Sequence, residues 1–194
     1  MDAAGFIGSH LMDLLVDRSY QVTCTVRQTS TLRWLETQLA GKSPPIQLVA
    51  TDLNDPTVSL PSLRGVDIAI HLAGLTKAFG ADDYYRTHAE ATRHLLDACA
   101  AKNGSMVRFL YWSSLVACGP SPGGRQASED TQANPPTNYG RSKLKGEMVV
   151  REYATRLTVP LSVHLRFTAL AERIFNILAG KKGSCRLSAI QGRN

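Results

Sequence analysis

The sequence predicts an α/β protein in which helices cover both faces of a doubly wound parallel β-sheet. Segments with the twofold periodicity of strands alternate along the chain with segments whose apolar residues recur every three to four positions, as in helices. This alternation is typical of βαβ units. The 194 residues, 43% of them hydrophobic and 20% charged, are enough for one such domain with a sizeable core.

The first part of the chain supplies two helices and three strands. Residues 6–16 carry apolar side chains on one helical face, and residues 20–26 alternate like a half-buried strand. Residues 30–39 again have helical periodicity. Residues 46–50 predict a short strand, and the mostly apolar residues 66–72 predict a buried one.

The second part continues the alternation. Residues 81–101 predict a long helix, and residues 107–112 predict a strand that ends in two serines. A segment rich in Gly, Pro and Ser predicts a loop at residues 119–136. The remaining predicted elements are a helix over residues 137–156, a strand over residues 161–167 and a helix over residues 170–179.

Charge and cysteine spacing exclude several classes of protein. The net charge is +6, but the basic residues are spread along the chain without a nucleic-acid-binding motif, so we expect no nucleic-acid partner. No run is apolar enough to span a membrane, and no basic segment typical of a secretory signal opens the chain. The widely spaced cysteines predict neither a metal site nor a disulfide framework, and the expected location is the cytoplasm. These cysteines are Cys24, Cys99, Cys118 and Cys185.

A glycine pair opens the first predicted helix. Gly5 and Gly8 are separated by two apolar residues, and this spacing suits a turn at which the main chain approaches a pyrophosphate. The N–H groups of the following helix would then face the phosphates. Glycines are common at helix starts, so a purely structural turn is the alternative.

Residues 4–11, Ala-Gly-Phe-Ile-Gly-Ser-His-Leu, resemble the glycine turn of a known family. They are similar to extended short-chain dehydrogenases/reductases, the NAD-dependent epimerase/dehydratase family, and the similarity continues to about Phe167. The resemblance implies a Rossmann-like sheet that binds NAD or NADP. It assigns the pyrophosphate to Gly5, Phe6, Ile7 and Gly8.

The same resemblance implies that the chain is truncated at both ends. The family begins with an apolar strand and a turn of three glycines, whereas this chain begins inside that turn, with Asp2 at the first glycine position. That strand belongs in the middle of the sheet. We therefore expect a missing first strand that leaves main-chain groups of both neighbouring strands unpaired, at about 1–3 kcal/mol for each buried group.

Arg27 bears on the choice between NAD and NADP. An acidic residue about 20 positions after the glycine turn usually holds the adenosine ribose of NAD. Here no carboxylate ends the second strand and Arg27 follows it, which favours the 2′-phosphate of NADP. NAD as cofactor, with Arg27 simply solvated, is the alternative.

Two further segments would contact the cofactor, according to the resemblance. Asp52 and Leu53 match the pair that contacts adenine, although Asp52 alone could be a turn residue. Ala73 and Gly74 match the turn whose main chain lies against the cofactor. His88 stands where the family usually has Asn, and this departure weakens the match.

Tyr139 and Lys143 form a YxxxK motif. Positions i and i+4 share one face of a helix, so the lysine ammonium would favour the phenolate of the tyrosine. Such a tyrosine can exchange a proton with a substrate oxygen while hydride moves at a nicotinamide. The resemblance implies that Ser114 bonds the same substrate oxygen and that Lys143 also holds the nicotinamide ribose.

The predicted organisation is a dinucleotide-binding domain over residues 1–168 and the start of a substrate-binding part over residues 169–194.

The predicted function is NAD(P)-dependent oxidoreduction of a carbonyl or secondary alcohol in a small-molecule substrate. A nucleotide-sugar epimerase or dehydratase that retains NAD is one alternative. A non-catalytic nucleotide-binding fragment is the other. A homodimer through the two long helices is implied only by the resemblance.

Overall fold

The computed structural model describes residues 6–28, 40, 46–55, 63–102, 106, 108–121, 123, 131–157, 161–164 and 186–190. Its strands and helices alternate, which confirms the predicted Rossmann-like α/β fold. The strands are β1 (Gln21–Val26), β2 (Gln47–Ala50), β3 (Ile68–His71), β4 (Arg108–Trp112), β5 (Leu161–His164) and β6 (Arg186–Ile190). The helices are α1 (Phe6–Asp17), α2 (Ala81–Tyr85), α3 (Ala91–Lys102) and α4 (Asn138–Leu157).

Most predicted elements occur within a few residues of their expected bounds. The long helix predicted over residues 81–101 is divided, because a π-helical turn (Arg86–Glu90) separates α2 from α3. A short 3-10 turn (Leu115–Ala117) follows β4. The helices predicted over residues 30–39 and 170–179 lie outside the described residues.

The six strands form one parallel sheet in the order β2-β1-β6-β3-β4-β5. The prediction of a gap in the middle of this sheet is wrong, because β6 occupies that position. Ser188 of β6 pairs with Thr23 of β1 on one side and with Ala69 of β3 on the other. The main-chain groups expected to be unpaired therefore have a ladder partner. Residues 186–190 lie in this sheet, although the sequence assigned them to the substrate-binding part.

Helix α1 is joined to β1 by a turn centred on Ser19. Ser19 adopts a positive φ of 61°, Ser19 N–H donates to Val16 O (2.8 Å), and Tyr20 N–H donates to Leu15 O (3.1 Å). These two bonds satisfy carbonyls at the helix end and reverse the chain into the strand. Helix α1 then lies against β1, where Met12 Sδ is 3.2 Å from Cys24 Sγ.

The main apolar core lies between β3, β4 and the helices α3 and α4. Phe109 and Tyr111 of β4 are fully buried there. Leu95 and Leu96 of α3 and Val150 of α4 pack in the same cluster. Among the described residues, no helix is long and apolar enough to cross a membrane. Nor do three or more His, Cys, Asp or Glu side chains gather as a metal site in that part of the chain.

Candidate active site

The candidate site lies at one edge of the sheet. Because β1, β3 and β4 are parallel, the residues that follow them meet at the same edge, where α/β sheets bind ligands. Arg27 follows β1, the turn of Ala73 and Gly74 follows β3, and Ser114 follows β4. The topology therefore brings predicted site residues from three distant segments to one edge.

Helix α4 presents the YxxxK motif at its first turn. Thr137 caps this helix, since its Oγ1 accepts from Gly140 N–H (3.0 Å) and its carbonyl accepts from Arg141 N–H (2.9 Å). Gly140 lets the helix approach the 3-10 turn, because a Cβ here would lie 2.6 Å from Val116 O. The start of α4 is thus held against the turn that carries Ser114.

Lys143 is buried beside the end of β4. Its ammonium Nζ donates to Trp112 O at 2.9 Å and lies 5.3 Å from the centre of the Tyr111 ring. Burial lowers the pKa of Lys143 to about 8, and the negative charge of Glu147 opposes this shift. Lys143 therefore remains mostly protonated at neutral pH, one helical turn from half-buried Tyr139.

The turn after β3 lies directly against Lys143. A Cβ on Gly74 would be 3.2 Å from Lys143 Nζ and 3.6 Å from His88 Nε2. Ala73 is buried, whereas Gly74 is half-buried. The imidazole of His88 also faces Tyr139, and the two ring centres are 5.5 Å apart in an edge-on arrangement. The structure therefore brings Gly74, His88, Tyr139 and Lys143 together.

Ser114 caps the 3-10 turn after β4. Its Oγ accepts from Val116 N–H at 3.3 Å, and its side chain is half-buried. The preceding Ser113 points inward, where its hydroxyl donates to the Glu147 carboxylate at 2.5 Å. The two serines that end β4 thus have different roles, one buried and one at the site edge.

The residues predicted to hold the pyrophosphate open helix α1. Phe6 is its first residue, Ile7 is half-buried and Gly8 is buried, whereas Gly5 lies outside the described residues. The predicted helix is therefore confirmed where it is described, and its contact with phosphate stays a prediction.

The strand ends β1 and β2 lie side by side. Val26 pairs with Ala50, and Thr51 N–H donates to Val26 O at 2.7 Å. Arg27 and Asp52 therefore come from adjacent strand ends. The guanidinium Nε of Arg27 is buried and has no hydrogen-bond partner among the described residues. An anion that approached this nitrogen would satisfy it.

Asp52 and Leu53 also have structural contacts in the protein. Asp52 Oδ1 accepts from the main-chain N–H of Asn54 at 3.0 Å and from its side-chain amide at 2.9 Å. This is the turn role that the sequence left open. Leu53 is buried in the core, and its carbonyl lies 2.9 Å from His94 Nδ1. A contact of either residue with adenine stays a prediction.

A family model described as "NAD dependent epimerase/dehydratase family" matches residues 3–175. The chain belongs to this family. Its members include enzymes with several different names, and two of the chain's relatives illustrate this range. The uncharacterized UDP-glucose epimerase YtcB of Bacillus subtilis is 32% identical over 181 residues, which are 88% of this chain and 56% of the relative. The ceramide reductase of Caulobacter vibrioides is 28% identical over 77% of this chain and 40% of the relative.

Solved structures of the epimerase/dehydratase family share the same fold. UDP-glucuronic acid 4-epimerase from Bacillus cereus, in complex with NAD, has a TM-score of 0.69 and 27% identity to this chain. The match covers 83% of this chain and 53% of the epimerase. This chain therefore spans about half the length of these relatives.

The described residues fit the dinucleotide that this epimerase/dehydratase family binds. The fit rests on the unpartnered, buried Nε of Arg27 at one end. At the other end, the missing Cβ of Gly74 leaves its main chain close to Lys143. In addition, α1 begins at Phe6, and the N–H groups of its first turn have no partners within the helix.

Two polar residues of this family member were missed by sequence reasoning. His88 is fully buried between the turn after β3 and helix α4, although its sequence position indicated only a departure from the family. Glu147 lies one turn beyond Lys143 and is buried against Ser113, with Arg151 Nη2 at 3.6 Å. Burial raises the pKa of Glu147, and Ser113 and Arg151 oppose that shift. The i, i+4 spacing of Lys143 and Glu147 could have predicted that Glu147 lies on the same helix face as Lys143.

Proposed function

We propose that this chain is the dinucleotide-binding part of an NAD(P)-dependent oxidoreductase that acts on a carbonyl or secondary alcohol of a small molecule. The observation that carries this proposal is the buried position of Lys143, one helical turn from Tyr139 and beside the Gly74 turn. A buried cation at the position where a cofactor would pass indicates proton chemistry at the neighbouring phenol. Residues 1–168 and strand β6 are proposed to form this part, because β6 completes its sheet.

The nicotinamide cofactor would accept or donate the hydride when bound. Tyr139 would hold the substrate oxygen and exchange a proton with it through its phenol. The Lys143 ammonium, one helical turn away, would stabilise negative charge that develops on the phenol oxygen during proton transfer. Ser114 would donate a second hydrogen bond to the substrate oxygen. Its Oγ accepts the main-chain N–H of Val116, which leaves its hydroxyl proton available for this bond.

Arg27 supports NADP as the preferred cofactor. Its buried Nε and the absence of a carboxylate at the end of β1 suit the 2′-phosphate of NADP better than the two free ribose hydroxyls of NAD. NAD remains the alternative, since the solved relative in complex with a nicotinamide cofactor holds NAD.

A nucleotide-sugar epimerase is the second candidate function, and a relative named a UDP-glucose epimerase that matches 88% of this chain favours it. Both candidates interconvert a secondary alcohol and a ketone with the same tyrosine and lysine. They differ in cofactor exchange, because an epimerase retains its NAD whereas a reductase exchanges NADPH.

The test of the proposed function is Tyr139→Phe, which removes the phenol oxygen and keeps the ring. Turnover of ketones with NADPH, or of UDP-sugars with bound NAD, should fall at least about 100-fold, since acid–base catalysis contributes at least that factor. Cofactor affinity should stay within about threefold. Tyr85→Phe on α2 is the matched control and should leave turnover unchanged. Wild-type turnover in the Tyr139→Phe variant would contradict the proposal.

A further inference from the structure

We propose that His88 is a positioning residue for Tyr139, acting as a neutral imidazole whose Nδ1–H is bonded to the Ser142 hydroxyl. This inference rests on the proposed function, because it concerns the tyrosine assigned to proton transfer. It is carried by four contacts of His88 and by its place in the π-helical turn.

The hydrogen bonds of His88 define which ring nitrogen carries the proton. Leu75 N–H donates to His88 Nε2 at 2.9 Å, so Nε2 is an acceptor and the proton is on Nδ1. Nδ1 lies 2.8 Å from Ser142 Oγ, and this hydroxyl in turn donates to Tyr139 O at 2.8 Å. One continuous chain of bonds therefore runs from the turn after β3 to the main chain of Tyr139.

Ring contacts fix the side chain of Tyr139 from the same direction. The Tyr139 ring lies edge-on to His88, with ring centres 5.5 Å apart, and edge-on to Tyr84, with ring centres 5.8 Å apart. Tyr84 itself stacks on His88 with ring centres 5.9 Å apart. The side chains of Tyr84 and His88 thus both pack against the ring of Tyr139 and restrict its position.

The π-helical turn explains how His88 reaches this position. The turn spans Arg86–Glu90, between two α-helical segments that the sequence predicts as a single helix. A π turn widens the helix locally, costs hydrogen-bond geometry and occurs frequently at functional sites. Here the widened turn contains the one residue that bonds to both the Gly74–Leu75 turn and helix α4.

The surroundings keep the imidazole neutral. Burial lowers the pKa of His88 to about 2, and the nearby Lys143 ammonium acts in the same direction. A neutral ring with a fixed tautomer is able to position a neighbour without exchanging protons itself. The proposed role of His88 is therefore to position Tyr139, and not to donate or accept a proton in the reaction.

The first experiment distinguishes the effect of the His88 hydrogen bonds from the effect of its ring packing. His88→Phe keeps a ring but loses both hydrogen bonds, and kcat should fall about 10- to 100-fold, as expected for a reacting group displaced by up to 1 Å. The KM for cofactor should stay within about threefold. His88→Asn places an amide nitrogen near the Nδ1 position and should retain most of kcat. A His88→Phe variant with wild-type kcat, or one more active than His88→Asn, would overturn the proposal.

Ser142 offers a matched pair of variants on the same helix. Ser142→Ala removes the bond to Tyr139 O and should lower kcat, and combined with His88→Phe its effect should be much less than additive. Thr155→Ala removes the equivalent bond from Thr155 Oγ1 to Glu152 O, also 2.8 Å, at the far end of α4. This control should leave kcat unchanged. Strict additivity in the double variant would contradict a shared chain of bonds.

A readout without substrate distinguishes this inference from the proposed function. In the full chain with ¹⁵N-labelled histidine, His88 should show a protonated Nδ1 and an unprotonated Nε2 from pH 8 to pH 5. The signal is assigned by its loss in His88→Asn. An Nε2–H tautomer or a charged ring would overturn the bond chain whatever the activity. The expected tautomer in a wild-type protein without turnover would contradict only the proposed function.

Discussion

The β3–β4 side of the sheet and the β1–β2 side differ in whether the buried polar groups of their site residues have hydrogen-bond partners within the protein. Beside β3 and β4, the side chains of His88, Ser142 and Lys143 are buried and bonded within the protein. Beside β1 and β2, the Nε of Arg27 is buried without a partner among the described residues. The named site residues beside β3 and β4 are therefore held by bonds within the protein, whereas Arg27 beside β1 has a buried donor that we propose the cofactor satisfies.

Strand β6 joins these two sides. It pairs with β1 through residues such as Val22 and with β3 through residues such as Ile70, so the edge that carries both half-sites is continuous. Three parts can therefore be tested separately: strand β6 (the joint), the β3–β4 side proposed to hold the catalytic residues (the catalytic side) and the β1–β2 side proposed to bind the cofactor (the cofactor side).

The largest expected effect is at the joint. Ser188→Pro in the middle of β6 removes a ladder N–H between β1 and β3, where proline is not accommodated. We expect the free energy of unfolding to fall by about 3 kcal/mol or more, a large share of the roughly 5–15 kcal/mol typical of a domain. Denaturant unfolding followed by circular dichroism measures the change.

Ser188→Thr is the matched control for this prediction. It keeps the N–H group and adds a β-branched side chain that strands tolerate, so stability should change little. If Ser188→Pro unfolds at the same denaturant concentration as the wild type, then β6 is not a central strand.

The next effect tests the packing of the catalytic side. A Cβ on Gly146 of α4 would lie 2.2 Å from the Tyr111 hydroxyl and 2.4 Å from His88 O. Gly146→Ala should therefore destabilise the protein by about 1–3 kcal/mol through overpacking, as measured by thermal unfolding. Gly80→Ala, where a Cβ would meet nothing within 4 Å, should be close to neutral. Equal melting temperatures for the two variants would contradict the close approach of α4 to β4.

The cofactor side is tested by Arg27→Ala. Loss of a charge-assisted bond to a 2′-phosphate should weaken NADPH binding about tenfold or more and change NADH binding little. Isothermal titration of both nucleotides measures the two affinities. Arg64→Ala, at an exposed arginine remote from the strand ends in sequence, serves as the control. An equal loss of affinity for both nucleotides would remove the argument for NADP.

The smallest effect is a pH dependence on the catalytic side. The folded protein lowers the pKa of His88 to about 2, so below the unfolded value of about 6.5 the unfolded chain binds a proton that the folded one does not. Stability should therefore fall as the pH falls below about 6.5, by about 1 kcal/mol between pH 7 and pH 5.5. His88→Asn should lack this share of the pH dependence. Identical pH profiles for wild type and variant would contradict a neutral, buried His88.

Different features of the β3–β4 side differ in how far the sequence could predict them. The alternation of strands and helices, the YxxxK spacing and the Gly74 turn are local patterns, and each lies where it was expected. His88 bonds to Leu75 and Ser142, which are 13 and 54 residues away, so its role depends on contacts that no local pattern contains. From the sequence alone, His88 could be identified only as a residue that departs from the family motif, and not as a buried, neutral imidazole.

Strand β6 was missed for a related reason. Its residues are Arg-Leu-Ser-Ala-Ile, and its pairing partners lie more than 100 residues earlier in the chain, so no local pattern predicts its place in the sheet. Family resemblance predicted a strand at that place in the sheet but attached it to the start of the chain. The position was therefore predictable, whereas the segment that fills it was not.

We propose that the two sides together bind a nicotinamide dinucleotide at one edge of the sheet. A thermal melt of the 194-residue chain, alone and with saturating NADPH or NADH, tests it most directly. We predict a cooperative transition that NADPH raises more than NADH, with a stabilisation of about 2.7 kcal/mol at a hundredfold excess over Kd. A cooperative transition that neither nucleotide shifts would contradict the claim.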